Sequence, residues 1–230
     1  MTLNDLKTLA RAYVPGAKTS VINDTVLELI LNNGAKEVAA ITICLKANTQ
    51  FNAVADQREY SLSSVVGDFL VMDDPGLWWN EGGTHWKQLI PKTMKWLDEN
   101  RANWRDEDSG NPMYYYQEGD TIGVHPKPDT TLASGFHIYY GRKPTPMTDA
   151  THYAFEGSTE IDQLSLFDEA ILYYWKWKVG PALNKDNSDD FRKNENAFYN
   201  EVARKLALFR RRPDMSASRY NQMQGMKIRA

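Results

Sequence analysis

The residues able to do chemistry are all present, but their spacing gives chemistry no anchor. Four histidines, His85, His125, His137 and His152, fall in or near one stretch of the chain. None stands in the His-x-x-x-His or Glu-x-x-His spacing that puts two ligands on one helix face. His125 and His137 could meet across paired strands, yet ordinary hydrogen-bonded or exposed histidines are the expectation. The single cysteine, Cys44, excludes an intrachain disulfide and a thiolate cage, and its apolar helical setting reads as a buried thiol. There is no Gly-x-Ser-x-Gly elbow, Walker-type loop or dinucleotide fingerprint; Glu81-Gly82-Gly83-Thr84 is a Gly-containing turn.

Carboxylates occur as Asp73-Asp74, Asp106-Glu107-Asp108 and Asp189-Asp190, so a glycosidase-like pair can be drawn. Each cluster lies where charge ordinarily solvates a turn or caps a helix: Asp73-Asp74 precede Pro75-Gly76, and Asp189-Asp190 open a helix after Ser188. The expectation is no catalytic residue, no metal site, no cofactor and no enzyme. Exposed aromatics offer a different function, since Trp78, Trp79, Trp86, Trp96, Trp104 and Tyr114-Tyr115-Tyr116 could form a sugar platform. A carbohydrate-binding β module of a surface protein is therefore the alternative reading. It predicts tryptophans gathered in one open groove, whereas packing predicts that most are buried.

The elements that would position these residues fall into three parts. Thr2 with Asp5 forms a capping pattern for a helix carrying Leu3, Leu6, Leu9 and Tyr13 before Pro15-Gly16. A second helix is predicted over 23–45, capped by Asn23, with Val26, Ile30, Glu37, Val38, Ile41 and Leu45 on its buried side and continuing through Gly34. From 46 to 160 the texture becomes short runs of Val, Ile, Tyr, Phe and Trp between Gly, Pro, Asn and Asp. Antiparallel strands are predicted at 49–54, 59–62, 69–72, 77–79, 86–90, 113–117, 121–125 and 136–141, with a small helix over 91–100. Helical texture returns at 164–183 and 189–212, closed by Pro213.

The fold expected is α+β, a helical bundle built from both chain ends with an inserted antiparallel β domain. In domain terms this is 1–45 plus 164–212 as the helical core, 46–163 as the β insertion and 213–230 as a C-terminal arm. The 230 residues are 42% apolar, enough for a proper core, and the longest nearly apolar run, 38–45, is far below the roughly 20 residues that cross a bilayer. Nothing marks the chain for secretion or a membrane.

Net charge is −3, but residues 201–230 carry eight Lys or Arg against two Asp or Glu, which leaves −9 on residues 1–200. A basic end on an acidic body reads as an arm that touches an acidic protein surface or nucleic acid. The stretch 164–179 adds an argument for assembly. Leu164, Phe167, Ile171, Tyr174, Trp175 and Lys178 form one stripe, while Leu166, Ala170, Leu172, Tyr173 and Trp177 lie off it. Such a helix is either central in its own core or half buried against another subunit, and its Tyr and Trp favour an interface at Leu166, Leu172, Tyr173 and Trp177.

Across nearly its whole length the sequence resembles the head-to-tail adaptor (connector) proteins of tailed phages. The likeness rests on the order of Leu29-Ile30-Leu31-Asn32, Ala35-Lys36-Glu37-Val38, Gln57-Arg58-Glu59-Tyr60-Ser61-Leu62, Gly110-Asn111-Pro112-Met113-Tyr114-Tyr115-Tyr116 and Gly119-Asp120-Thr121-Ile122. Pro126-Lys127-Pro128, Tyr139-Tyr140-Gly141-Arg142-Lys143-Pro144 and the two closing helices complete it. The Trp-rich turns of 76–86 are a departure. The resemblance implies a structural protein of the virion neck, assembled in the host cytoplasm as a dodecameric ring between portal and tail, around the channel through which DNA leaves. Its partners would be neighbouring copies, a downstream neck or tail protein, genomic DNA held without sequence preference, and the portal protein. The portal-binding arm would be Arg210, Arg211, Arg212, Arg219, Tyr220, Lys227 and Arg229.

Overall fold

A computed structural model describes residues 1–14, 16–82, 84–101, 103–161, 163–183 and 188–210. In chain order the elements are α1 (Leu3–Tyr13), α2 (Asp24–Thr42), β1 (Lys46–Ala53), β2 (Glu59–Ser61), the single turn α3 (Leu62–Val65) and β3 (Phe69–Asn80). They continue with β4 (Trp86–Gln88), β5 (Ile90–Pro91), α4 (Met94–Asn100), β6 (Tyr114–Glu118), β7 (Thr121–His125) and β8 (Leu132–Arg142). A 3₁₀ turn at Ser165–Phe167 leads into α5 (Asp168–Leu183), and α6 (Ser188–Arg210) follows. The class is α+β, with helices at both ends of the chain. Two compact units result: Met1–Cys44 together with the chain from Pro144 onward, and Leu45–Lys143.

In the helical unit, Thr2 and Asp5 form the expected capping box, each side chain bonded to the other's backbone N–H. The Asn23 side chain accepts from the Val26 N–H at 2.9 Å and starts α2. The buried face of α2 is Leu27, Leu31, Gly34, Ala35, Val38, Ala39 and Thr42, not the stripe beginning at Val26 and Ile30; Val26 is 43% exposed. Small residues decide this phase. A Cβ on Gly34 would lie 3.1 Å from the Tyr174 ring and 3.2 Å from Ile171, so glycine there admits α5 at close range and α2 runs through it unbroken. Cys44 lies just past α2 and is half-buried, more open than expected.

α5 is the axis of this unit, packed by α1, α2 and α6. Phe167, Ile171 and Trp175 are fully buried, each contributing about 1.5–3 kcal/mol of transfer free energy. The Trp175 indole also donates to the Ala10 carbonyl at 2.8 Å. α6 buries the predicted stripe Phe198, Val202, Leu206 and Phe209.

Residues 144–163, expected in the β insertion, belong to the helical unit. Asn32 ties them down by bonding both backbone groups of Met147, at 2.8 and 3.1 Å. The Leu3 N–H donates to the His152 carbonyl at 2.7 Å, and Phe155 meets Phe167 edge-on. Backbone groups of a loop must find partners somewhere, and here α1 and α2 supply them.

The β unit consists of two four-stranded sheets, ordered β1-β8-β3-β4 and β2-β7-β6-β5. One apolar cluster takes Phe51, Leu77, Trp79, Phe136 and Ile138 from the first and Tyr60, Tyr115, Ile122 and Val124 from the second. Phe136 is its hub, with the rings of Phe51, Tyr60 and Trp79 at 5.1, 5.3 and 5.1 Å. The two runs 69–72 and 77–79 are one strand interrupted by a register shift, and 86–90 is two strands. β5 pairs with β6 in parallel, the exception to the antiparallel expectation. On the outer side of the second sheet, Leu97 of α4 and Trp104 pack on Tyr116, whose ring occupies the space a Cβ on Gly123 would need.

Candidate assembly interface

Among the four residues expected at a subunit interface, three on α5 and Leu166 in the 3₁₀ turn before it, the protomer covers two. Leu172 is 2% exposed and Trp177 7%, the latter ringed by Tyr174, Phe191, Phe198 and Tyr199. The apolar circumference of this segment is thus explained by its central place in its own unit. Leu166 and Tyr173 remain half-exposed. Tyr173 lies about 160° around α5 from Ile171, which faces α2, and Leu166 precedes the helix in the 3₁₀ turn.

That open side runs between α1 and α6. Tyr13 meets Tyr173 edge-on at 6.1 Å, and Leu9, one turn back on α1, is 37% exposed. From α6, Arg204 grips Glu201 through two nitrogens at 2.6 and 2.8 Å, and Lys205 reaches Glu169 at 3.0 Å. The Arg204 hydrogen bonds hold the Glu201 carboxyl below the usual carboxylate range, while burial, then Glu169, pushes the Tyr13 phenol up. Leu208 follows Arg204 by one turn and is 41% exposed. The result is a self-neutralised ionic centre with apolar edges. On the far side of α5 the outer ridge of α2 presents Val26 and Leu29, the latter 60% exposed.

The basic arm lies outside the described residues: α6 is described to Arg210 without its side chain, and Arg211, Arg212, Arg219, Tyr220, Lys227 and Arg229 are beyond it.

The histidines take separate places. His125 is on β7 and His137 on β8, in different sheets, so they do not meet. His125 is 1% exposed, with Nε2 3.0 Å from the Glu107 carboxylate; burial lowers its pKa, reinforced by Arg58 and Arg101 and opposed by Glu107. His137 shares a hydrogen bond with Asn48 and sits beside Trp86 and Tyr139. His152 accepts from the Thr148 N–H at 3.1 Å. No cluster of three or more His, Cys, Asp or Glu fit to hold a metal occurs among the described residues. Asp73, expected to be solvated, is buried and pairs with Lys46 at 3.0 Å. Of the tryptophans named for a sugar platform, Trp79 and Trp104 are buried and Trp78, Trp86 and Trp96 are half-buried; Trp175 and Trp177 are buried in the helical unit.

The model of the SU10 adaptor protein family matches residues 1–224. The chain belongs to that family. It is accordingly a phage head–tail adaptor, a structural protein of the virion that works by contact with other head and tail proteins. No curated protein matches it. No helix among the described residues is long and apolar enough to cross a membrane.

Proposed function

We propose that the adaptor closes into a homo-oligomeric ring, of twelve copies if matched to a dodecameric portal, seated between portal and tail and lining the DNA exit channel. The observation that carries this reading is the pair of unlike apolar surfaces on opposite sides of α5. One is the open face with Leu9, Tyr13, Leu166, Tyr173 and Leu208; the other is the α2 ridge with Val26 and Leu29. Two different surfaces joined head to tail make a heterologous contact, which generates a ring when the rotation closes. The arm beginning at Arg210 docks on the portal, its basic charge meeting an acidic surface there. The −9 carried by residues 1–200 suits a channel wall that lets DNA slide, because a basic lining would grip phosphates. Contact, not catalysis, is the work.

Tyr173→Asp and Leu29→Asp change half-exposed or exposed positions and are expected to leave monomer melting unchanged while abolishing rings, seen by negative-stain imaging with portal present. Intact rings in both variants would remove the reading. Deleting residues 213–230 is expected to leave a folded protein that no longer sediments with portal-bearing heads; retained co-sedimentation would refute the role of the arm.

A further inference from the structure

The two faces of the first sheet differ in kind. Its inner face gives Phe51, Leu77, Trp79, Phe136 and Ile138 to the apolar cluster. Side chains alternate along a strand, so the residues between these stand on the outer face. β8 places His137 and Tyr139 there. Cross-strand register sets Gln50 and Trp78 on either side of His137, with Asn48 beside Tyr139. The edge strand β4 adds Gln88 opposite Trp78 and Trp86 opposite Asn80. The four rings are half-buried, whereas Asn48, Gln50 and Gln88 are exposed.

No charged side chain stands among these eight. Burial lowers the pKa of His137, which keeps its imidazole uncharged at neutral pH. The cations nearest in sequence, Lys46 and Lys87, are paired with Asp73 and Glu81 at 3.0 and 3.1 Å. The rings touch: the centre of His137 lies 4.5 Å from that of Tyr139 and 5.5 Å from that of Trp86. Asn48 Oδ1, 3.0 Å from His137 Nε2, holds the middle ring, so the platform is set before any ligand arrives. The amides are engaged at one end only. Asn80 Oδ1 accepts from the Gly82 N–H and Gln88 Nε2 donates to the Pro75 carbonyl, while Gln50 makes no hydrogen bond among the described residues. Donors on Asn48 and Asn80, an acceptor on Gln88 and both ends of Gln50 are thus left over among the described residues.

We infer that the outer face of this sheet binds a neutral carbohydrate chain, of the kind a virion meets on the surface of its host cell. A pyranose ring carries an apolar patch of C–H groups that packs on an aromatic ring, and a rim of hydroxyls that both donate and accept. Uncommitted amide donors and acceptors around a group of rings match both parts, and this is the usual make-up of a small-molecule site. Strands about 4.8 Å apart put the order β1-β8-β3-β4 across about 14 Å, the length of a short oligosaccharide. Another protein, a second copy of this chain included, fits less well. Protein contacts are built on an apolar core, and none of the large apolar residues exposed among the described ones lies on this face. Nucleic acid would need cations for its phosphates, and the face offers none.

The test presents the full-length adaptor to an array of immobilised neutral oligosaccharides and to polysaccharide washed from host cells, with affinities then measured by calorimetry. The native chain is expected to bind the host polysaccharide and at least one neutral oligosaccharide, with an affinity that holds as salt is raised. Trp86→Ala is expected to weaken binding about tenfold. Gln50→Ala removes an exposed group that supports nothing in the fold, and is expected to weaken binding about fivefold at an unchanged melting temperature. Trp96→Ala, on α4, is expected to bind as the native chain does. Failure to bind any neutral glycan overturns the proposal. So does binding that Trp86→Ala and Gln50→Ala both leave intact, or binding confined to acidic glycans and released by salt. Binding to the array but not to the host polysaccharide overturns the assignment to the cell surface.

Discussion

His125 is a buried imidazole beside two arginines and one carboxylate, and its surroundings favour the neutral form. Its Nδ1 is buried without a hydrogen-bond partner among the described residues, and Nε2 lies 3.0 Å from the Glu107 carboxylate. An imidazole whose pKa is lowered by folding takes up protons more readily unfolded, so its contribution to stability is complete at neutral pH and is lost as pH falls below about 6.5. Asp168 opposes this trend: burial pushes its carboxyl up to about 6, so folding favours its protonated form and its contribution improves as pH falls through that value. Comparing the native chain with His125→Asn isolates the histidine. The stability advantage of the native chain in urea unfolding is expected to shrink between pH 7 and pH 5. A constant difference across that range would show that His125 does not titrate against burial.

At the scale of elements, α5 decides the helical unit. Trp175→Phe removes the donor to the Ala10 carbonyl and leaves a void where α1 crosses α5. About 1–3 kcal/mol of lost stability is expected from the two effects together, measured as a lower midpoint in chemical unfolding. A change below about 0.5 kcal/mol would mean the site collapses around the smaller ring. Periodicity made α1, α5 and α6 legible, and side-chain chemistry made both N-terminal caps legible, because those signals are local. The phase of α2 was not, since it carries apolar residues on two sides and the choice falls to the helix that can approach Gly34, Ala35 and Ala39 most closely. Nor was the allegiance of 144–163, which depends on Asn32 more than a hundred residues away in sequence. The residues proposed for an interface show the same division. Composition located an apolar helix with Tyr and Trp, but only packing separates Leu172 and Trp177, which its own chain covers, from Leu166 and Tyr173, which it leaves half-open.

For the molecule as a whole, the chain enters and leaves the β unit at one place. Lys46 and Gly141 are Cα partners on β1 and β8, and the Arg142 N–H donates to the Leu45 carbonyl at 2.9 Å. Antiparallel partners stand about 5 Å apart, so the two ends of this unit are already joined across a ladder. The unit also owns its apolar cluster, drawn from both of its sheets. A segment with its own core and adjacent ends is what an insertion requires if its host is to fold around it. Residues 45–143 expressed alone are therefore expected to unfold cooperatively and give a dispersed amide spectrum. Replacing the same residues in the full chain with a short Gly-rich linker is expected to leave the helical unit folded, because the linker spans only the width of one strand pair. A linker chain that stays helical by circular dichroism but melts without cooperativity would show that the helical unit depends on the β unit for its packing, and the adaptor would then be one cooperative body despite its two cores.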